Sequence, residues 1–165
     1  MTAKASARST PSRIRVFRIT KRKVVKSAFS GSGARLYGGR WNSIGTSMVY
    51  TAGSLSLAFL EWRVHLAQWP PPPLVVIEVE FDESLIWIPA TPPSGWNRFP
   101  APPSAAAFGD EWINSARSVV LRVPSAVVSE EWNYLLNPAH PDFGALMIGK
   151  PRLFRPDTRL APIIS

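Results

Sequence analysis

GGRWNSIGTSMVYTAGSLSLAFLE, residues 38–61, passes from a glycine turn to a short strand to a helix, and the fold is read outward from it. Gly38 and Gly39 allow close backbone approach. Ser47–Thr51 (SMVYT) reads as a short buried strand. Residues 54–67 (SLSLAFLEWRVHLA) have helix length and good helix formers, with Ser54 as the N-cap. On a helical wheel Glu61 falls with Leu57, Leu60 and Val64, inside the apolar arc. A carboxylate there is costly unless it is paired, hydrogen-bonded or protonated. Two explanations stand side by side: an acid facing a pocket, or an internal ion pair or solvent-reaching helix end.

Upstream, Ile14 to Ile19 alternates apolar and basic residues and reads as a first strand, and residues 27–39 read as a mobile Gly/Ser loop. Downstream, Leu74–Phe81 (LVVIEVEF) is a strand, 89–103 a Pro-rich loop, and 104–116 a helix despite Gly109. Ser118–Val123 is a strand stopped by Pro124. Residues 129–143 are rich in turn formers, and 144–149 and 152–155 read as late short strands. Strands and helices mix without a regular βαβ rhythm, so the expected class is α+β, one domain over 13–165, after a basic, disordered tail at 1–12.

Charge is distributed unevenly. Of the 19 Lys and Arg, 11 lie in residues 1–60, where no Asp or Glu occurs, so that part attracts an anion: a pyrophosphate, a nucleic acid or an acidic protein. The alternative is a basic tail with a solvated face. Hydrophobic residues make up 45% of the 165, enough for a core. The chain has no Cys, which removes disulfides, thiolate nucleophiles and Cys-ligated metal sites. No apolar run reaches the ~18 residues of a membrane span, and the N-terminus lacks the apolar centre of a signal peptide, so the expected location is the cytoplasm, away from membranes.

Several further side chains invite chemistry. Arg40 offers a planar fork for phosphate oxygens, or a surface Arg packed on Trp41. Tyr50 is placed to stack on a flat heterocycle, or to be a core tyrosine with a satisfied hydroxyl. Ser125 follows Val123-Pro124 at a strand end, exposed for chemistry or capping the next turn. Asn137 and His140 sit in NPAHPDF (137–143), where the plainer reading is a rigid loop with both side chains bonded to backbone. With no His-x-x-x-His or His-Glu pair, no metal site is expected. A serine-hydrolase elbow and the Gly-x-Gly-x-x-Gly of a nicotinamide oxidoreductase are both absent.

Taken together, VFRI (16–19), the 38–61 block, FGDEWINSARSVVLRVPSAVVSEEWNYLLNPAHPDF (108–143) and FRPDTRL (154–160) resemble the RES domain, a family named for an Arg, a Glu and a Ser. The resemblance spans about residues 14–160 and rests on two independent motif blocks in the right order. It places the family Arg on Arg40, the Glu on Glu61 and the Ser on Ser125, with an early Arg on Arg18 and a strand Tyr on Tyr50. Trp41 and Asn137, inside the matching blocks, are further candidates for contacting substrate.

The resemblance implies a fold related to ADP-ribosyltransferases, with mixed sheets and flanking helices. It implies a toxin of a bacterial toxin–antitoxin pair that consumes NAD⁺ by hydrolysis or phosphorolysis, or in some members modifies a protein. NAD⁺ is then the substrate and no cofactor is needed. The implied partner is a cognate Xre-type helix-turn-helix antitoxin covering the active site, through which any DNA contact is indirect; self-association stays open. In this scheme Glu61 stabilises an oxocarbenium-like transition state. Arg40 and Arg18 hold the pyrophosphate, Tyr50 lines the nicotinamide site, and Ser125 orients the ribose or Arg40. Three other readings compete: transfer of ADP-ribose to a protein, a nucleic-acid-binding or ribonuclease toxin, and an inactive interaction domain.

Overall fold

The computed structural model describes residues 12–161. Its centre is β1 (Arg13–Lys21), antiparallel to β3 (Leu74–Asp82) along its whole length, from Arg13↔Asp82 to Lys21↔Leu74. On its other side β1 meets β2 (Val49–Ala52) at a single register pair, Phe17↔Ala52. Beyond that pair the two strands part, and Arg18 Nη1 donates to the Tyr50 carbonyl at 2.8 Å. The remaining strands are β4 (Ile86–Trp87), β5 (Val120–Pro124), β6 (Trp132–Leu136), β7 (Met147–Ile148) and β8 (Arg152–Phe154). They join one sheet in the order β4-β5-β6-β2-β1-β3-β7, with β8 also on β3. Among the described residues only β4–β5 is parallel, so the sheet is mixed and the class is α+β, as expected.

Strand alternation splits the side chains between two faces. On one face Ile19 and Ala52 receive helix α2 (Leu55–Arg63) through Leu57, Ala58 and Phe59. Further along this face Leu121, Val123 and Leu135 pack with Trp41, Met48 and, from helix α3 (Pro103–Ser115), Ala105 and Trp112. The opposite face carries Val16, Val49, Val79, Phe81, Tyr134 and Leu136, packed against Leu146, Phe143 and Phe29. Each fully buried large apolar side chain contributes ~1.5–3 kcal/mol. Among the described residues, no helix is long and apolar enough to cross a membrane.

Three expectations change, and one strand falls where the sequence offered no reading. The 27–39 loop contains helix α1 (Ser32–Tyr37), which buries no residue and is bracketed by Gly31 (φ 70°) and Gly38 (φ 69°), so its glycines are end signals rather than loop signals. The 129–143 stretch contains β6, because five residues inserted between β2 and β5 gain two ladders at once. The two-residue β4, inside 82–88, was too short to read. Helix α2 ends at Arg63 rather than at 67, since Leu60 and Val64 are exposed and give the last turn nothing to pack on. Of the basic tail expected at 1–12, residues 1–11 lie outside the described residues.

Candidate active site

Helix α2 starts as Ser54 predicts: its Oγ accepts from the Leu57 N–H at 3.1 Å, while its own hydroxyl donates to Glu131 Oε2 at 2.8 Å. That clasp ties the helix start to the chain entering β6 and sets Glu61, in the last turn of the helix, over the β5–β6 junction. Leu60 and Val64 are exposed, so Glu61 stands at the border of the buried face rather than inside it. Ser125 donates its hydroxyl to Glu61 Oε1 at 2.6 Å. Asn133 Nδ2 donates to the same oxygen at 2.5 Å. Among the described residues Glu61 has no ion pair, so the internal salt-bridge explanation does not hold.

This arrangement leaves the carboxylate charge uncancelled. Two neutral donors fix Oε1, and Oε2 has no partner among the described residues. Ser125 is fully buried and is itself held: Oγ accepts from the Val127 and Val128 N–H groups at 3.0 and 3.1 Å. Ser125 is therefore a turn cap that also donates to the carboxylate, and its hydroxyl is buried rather than exposed at the strand end. The carbonyl oxygen of Asn133, Oδ1, is buried without a partner among the described residues.

The Arg40 loop is built around Tyr50. The Tyr50 hydroxyl accepts from the Trp41 N–H at 3.1 Å and donates to Asn42 Oδ1 at 2.8 Å. Asn42 Nδ2 in turn donates to the Ala34 and Thr46 carbonyls at 2.8 and 3.0 Å. Gly39 is required here, because a Cβ would lie 2.6 Å from the Tyr50 hydroxyl. Burial pushes the Tyr50 pKa well above its usual value; the Trp41 N–H opposes the shift, Asp110 adds to it, Arg40 opposes it and Glu61 adds to it. The hydroxyl is thus a neutral donor, and Tyr50 lies within the electrostatic reach of both Arg40 and Glu61.

Arg40 is partly committed. Its Nη1 donates to the Trp96 carbonyl and, at 2.9 Å, to the Arg98 carbonyl, which holds the fork in place while Nε and Nη2 have no acceptors among the described residues. Burial lowers the Arg18 pKa to about 10, still a cation at neutral pH, and its Nε has no partner among the described residues.

Two other candidates are not brought to the cluster. Trp41 is 2% exposed, stacked on Trp96 at 6.2 Å between ring centroids and edge-on to Phe108, which leaves no ring face for a ligand. Asn137 lies four residues beyond Asn133 along the β6 direction, about 13 Å away at strand rise. Its side chain accepts from the Ala139 N–H at 3.1 Å and donates to the Ile113 carbonyl at 3.4 Å, the backbone-bracing alternative. His140 does likewise: Nδ1 accepts from the Asp142 N–H, so Nε2 carries the proton and donates to the Ala116 carbonyl at 2.9 Å. Asn133 is the functional candidate that sequence reasoning missed. Its signal was the WNYLL alternation, which sets Asn133 on the same strand face as buried Leu135.

Comparison with known proteins gives the family and the fold. The sequence profile of the RES domain matches residues 15–157. A Sphingobium sp. (strain YBL2) protein named Prs ADP-ribosylating toxin is 44% identical over 138 residues, covering 79% of this chain and 85% of that one. A Yersinia enterocolitica protein named Toxin Res is 38% identical over 149 residues, covering 88% and 98%. In fold, the chain is similar to one in the crystal structure of the M. tuberculosis MbcT–MbcA toxin–antitoxin complex, with a TM-score of 0.66, 17% identity and coverage of 87% and 85%. With nearly the whole described chain matched by the family profile and by relatives above 30% identity, the protein belongs to the RES-domain family.

Proposed function

We propose that this RES-domain protein is the toxin of a toxin–antitoxin pair and that it destroys NAD⁺ by cleaving the bond between nicotinamide and ribose. The observation that carries the reading is Glu61 Oε1 held by Ser125 and Asn133 while Oε2 stays uncommitted. As the C1′–N bond breaks, both its electrons leave with nicotinamide, which departs neutral and needs no general acid. Positive charge develops on the ribose. An unneutralised, rigidly held carboxylate stabilises that charge more in the transition state than in the ground state. Oε2 accepts a hydrogen bond from a ribose hydroxyl. Arg40, braced on two carbonyls, supplies its remaining N–H groups to the pyrophosphate, and Arg18, whose Nη1 donates to the Tyr50 carbonyl, adds a second cation. Water or phosphate then attacks the anomeric carbon.

A second reading, transfer of ADP-ribose to a protein, uses the same site and a different acceptor. The name of the Sphingobium relative favours it. Labelled NAD⁺ incubated with the protein, with and without phosphate and with cell lysate, separates the two. Free ADP-ribose or its 1-phosphate supports destruction, and label on one protein band supports transfer.

A cognate antitoxin is the proposed partner. The exposed apolar side chains Leu36, Tyr37, Ile44 and Phe99 flank the Arg40 loop, and Phe99 is 95% exposed. Such side chains beside a polar site suit a protein that covers it.

A further inference from the structure

Helix α3 is fixed to the sheet by Ala105 and Trp112, both buried, and Trp112 Nε1 donates to Ser118 Oγ at 2.9 Å. Its middle turn meets the loop that carries Arg40 in two places. Gly109 lies so close to the Trp41 carbonyl that no side chain fits between them. One residue on, Asp110 Oδ1 accepts the Ser43 N–H at 3.0 Å, across 67 residues of chain. The two contacts fall on either side of Asn42, whose side chain is bonded to Tyr50, Ala34 and Thr46. Among the described residues no other carboxylate bonds to residues 39–46, and Asp110 makes no ion pair. Its charge is therefore free to strengthen the bond to the Ser43 N–H.

We infer that Asp110 is a positioning residue, which holds the backbone of the Arg40 loop so that the guanidinium stands ready for the anionic part of the substrate. The identity of that anion rests on the NAD⁺ reading above. Arg40 is braced at its tip by the Trp96 and Arg98 carbonyls, but a long side chain held only there still shifts with its backbone. Asp110 supplies the hold at the other end, through Ser43. A displacement of about 1 Å in a binding group can cost on the order of 100-fold in rate. A fork already in place spares the substrate the cost of ordering it. The side-chain hydrogen bonds of Glu61, Ser125 and Asn133 involve neither α3 nor this loop. The two halves of the site are thus held separately, and Asp110 acts on binding rather than on the bond-breaking step.

The test compares wild type, Asp110→Ala and Asp110→Asn, with thermal unfolding to check that each folds. Asp110→Ala is expected to raise KM for NAD⁺ about tenfold while kcat stays within about twofold. Asp110→Asn keeps an acceptor oxygen without the charge and is expected to recover most of that loss. Nuclear magnetic resonance reads the positioning without substrate: the Arg40 side-chain N–H signal is expected to lose order in Asp110→Ala and to keep it in Asp110→Asn. A merely structural Asp110 would lower the thermal midpoint and leave both KM and the Arg40 signal unchanged, and that result overturns the proposal. So does a fall in kcat alone. Hydrogen exchange on wild type needs no variant: the Ser43 amide is expected to be protected although Ser43 is exposed, and free exchange there contradicts the contact. Wild type that consumes NAD⁺ while KM ignores Asp110 removes this inference alone. Arg40 loosened in Asp110→Ala, in a protein whose wild type leaves NAD⁺ intact, removes the cleavage reading alone.

Discussion

Ser125 donates its hydroxyl proton to Glu61 Oε1 at 2.6 Å although 64 residues of chain separate them. The contact joins the end of α2 to the end of β5, and Asn133 reaches the same oxygen from β6. Three elements thus converge on one carboxylate oxygen and leave the other open.

Removing either donor frees the carboxylate to rotate. Asn133→Ala is expected to lower kcat about 10- to 100-fold with little change in KM, since the hydrogen bonds matter most as charge develops. Asn133→Asp sets a second acid beside Glu61 and is expected to be no better. Ser125→Ala should lose activity and also ~1–3 kcal/mol of stability, because the Val127 and Val128 N–H groups lose their acceptor. Steady-state kinetics beside thermal unfolding separates the two effects. Unchanged kcat in a folded Asn133→Ala protein would mean that Oε1 needs no holding.

Gly109 lies inside α3, where Gly→Ala ordinarily stabilises a helix by ~0.5–1 kcal/mol. Here a Cβ would sit 1.8 Å from the Trp41 carbonyl oxygen. Gly109→Ala is expected to destabilise by ~1–3 kcal/mol or more, read as a fall in thermal midpoint. A rise would show that α3 does not press on the Arg40 loop.

Tyr50→Phe removes the hydroxyl that bridges the Trp41 N–H and Asn42 Oδ1. The loop carrying Arg40 loosens, and the expected result is a raised KM together with ~1–3 kcal/mol lost from stability. Chemical denaturation and initial-rate kinetics on the same sample check it.

The legible parts of the fold were those with a strong local signal. The Ser54 cap, the long β3 and the 104–116 helix came through because periodicity and capping are written into contiguous residues. β6 did not: its five residues gain their stability from β2 and β5, which lie far away in sequence, while Glu130, Glu131 and Asn137-Pro138 made the neighbourhood look like turns. The same gap hid Asn133. Glu61 was legible because a carboxylate near an apolar arc is anomalous. An Asn on a strand is not anomalous until its partner is known. Trp41 and Asn137 share the motif blocks yet do structural work, one filling the core and one bracing a loop.

Phe99 is 95% exposed and packs on nothing that holds the fold together. Phe99→Ser should leave the thermal midpoint and NAD⁺ turnover unchanged while weakening antitoxin binding by ~1 kcal/mol or more, as for a buried aromatic anchor of an interface. Co-purification and calorimetry with the antitoxin read this out, and equal affinity for both proteins would place the antitoxin elsewhere.

The central claim is that the held carboxylate of Glu61 drives cleavage of NAD⁺, and the most direct measurement is NAD⁺ consumption by purified wild type beside Glu61→Gln and Arg40→Ala, each checked for folding. The account expects consumption by wild type, a fall of ~100-fold or more for Glu61→Gln, and a large rise in KM for Arg40→Ala. NAD⁺ left intact by antitoxin-free wild type, with phosphate and lysate supplied as acceptors, or consumed equally by a folded Glu61→Gln protein, would contradict it.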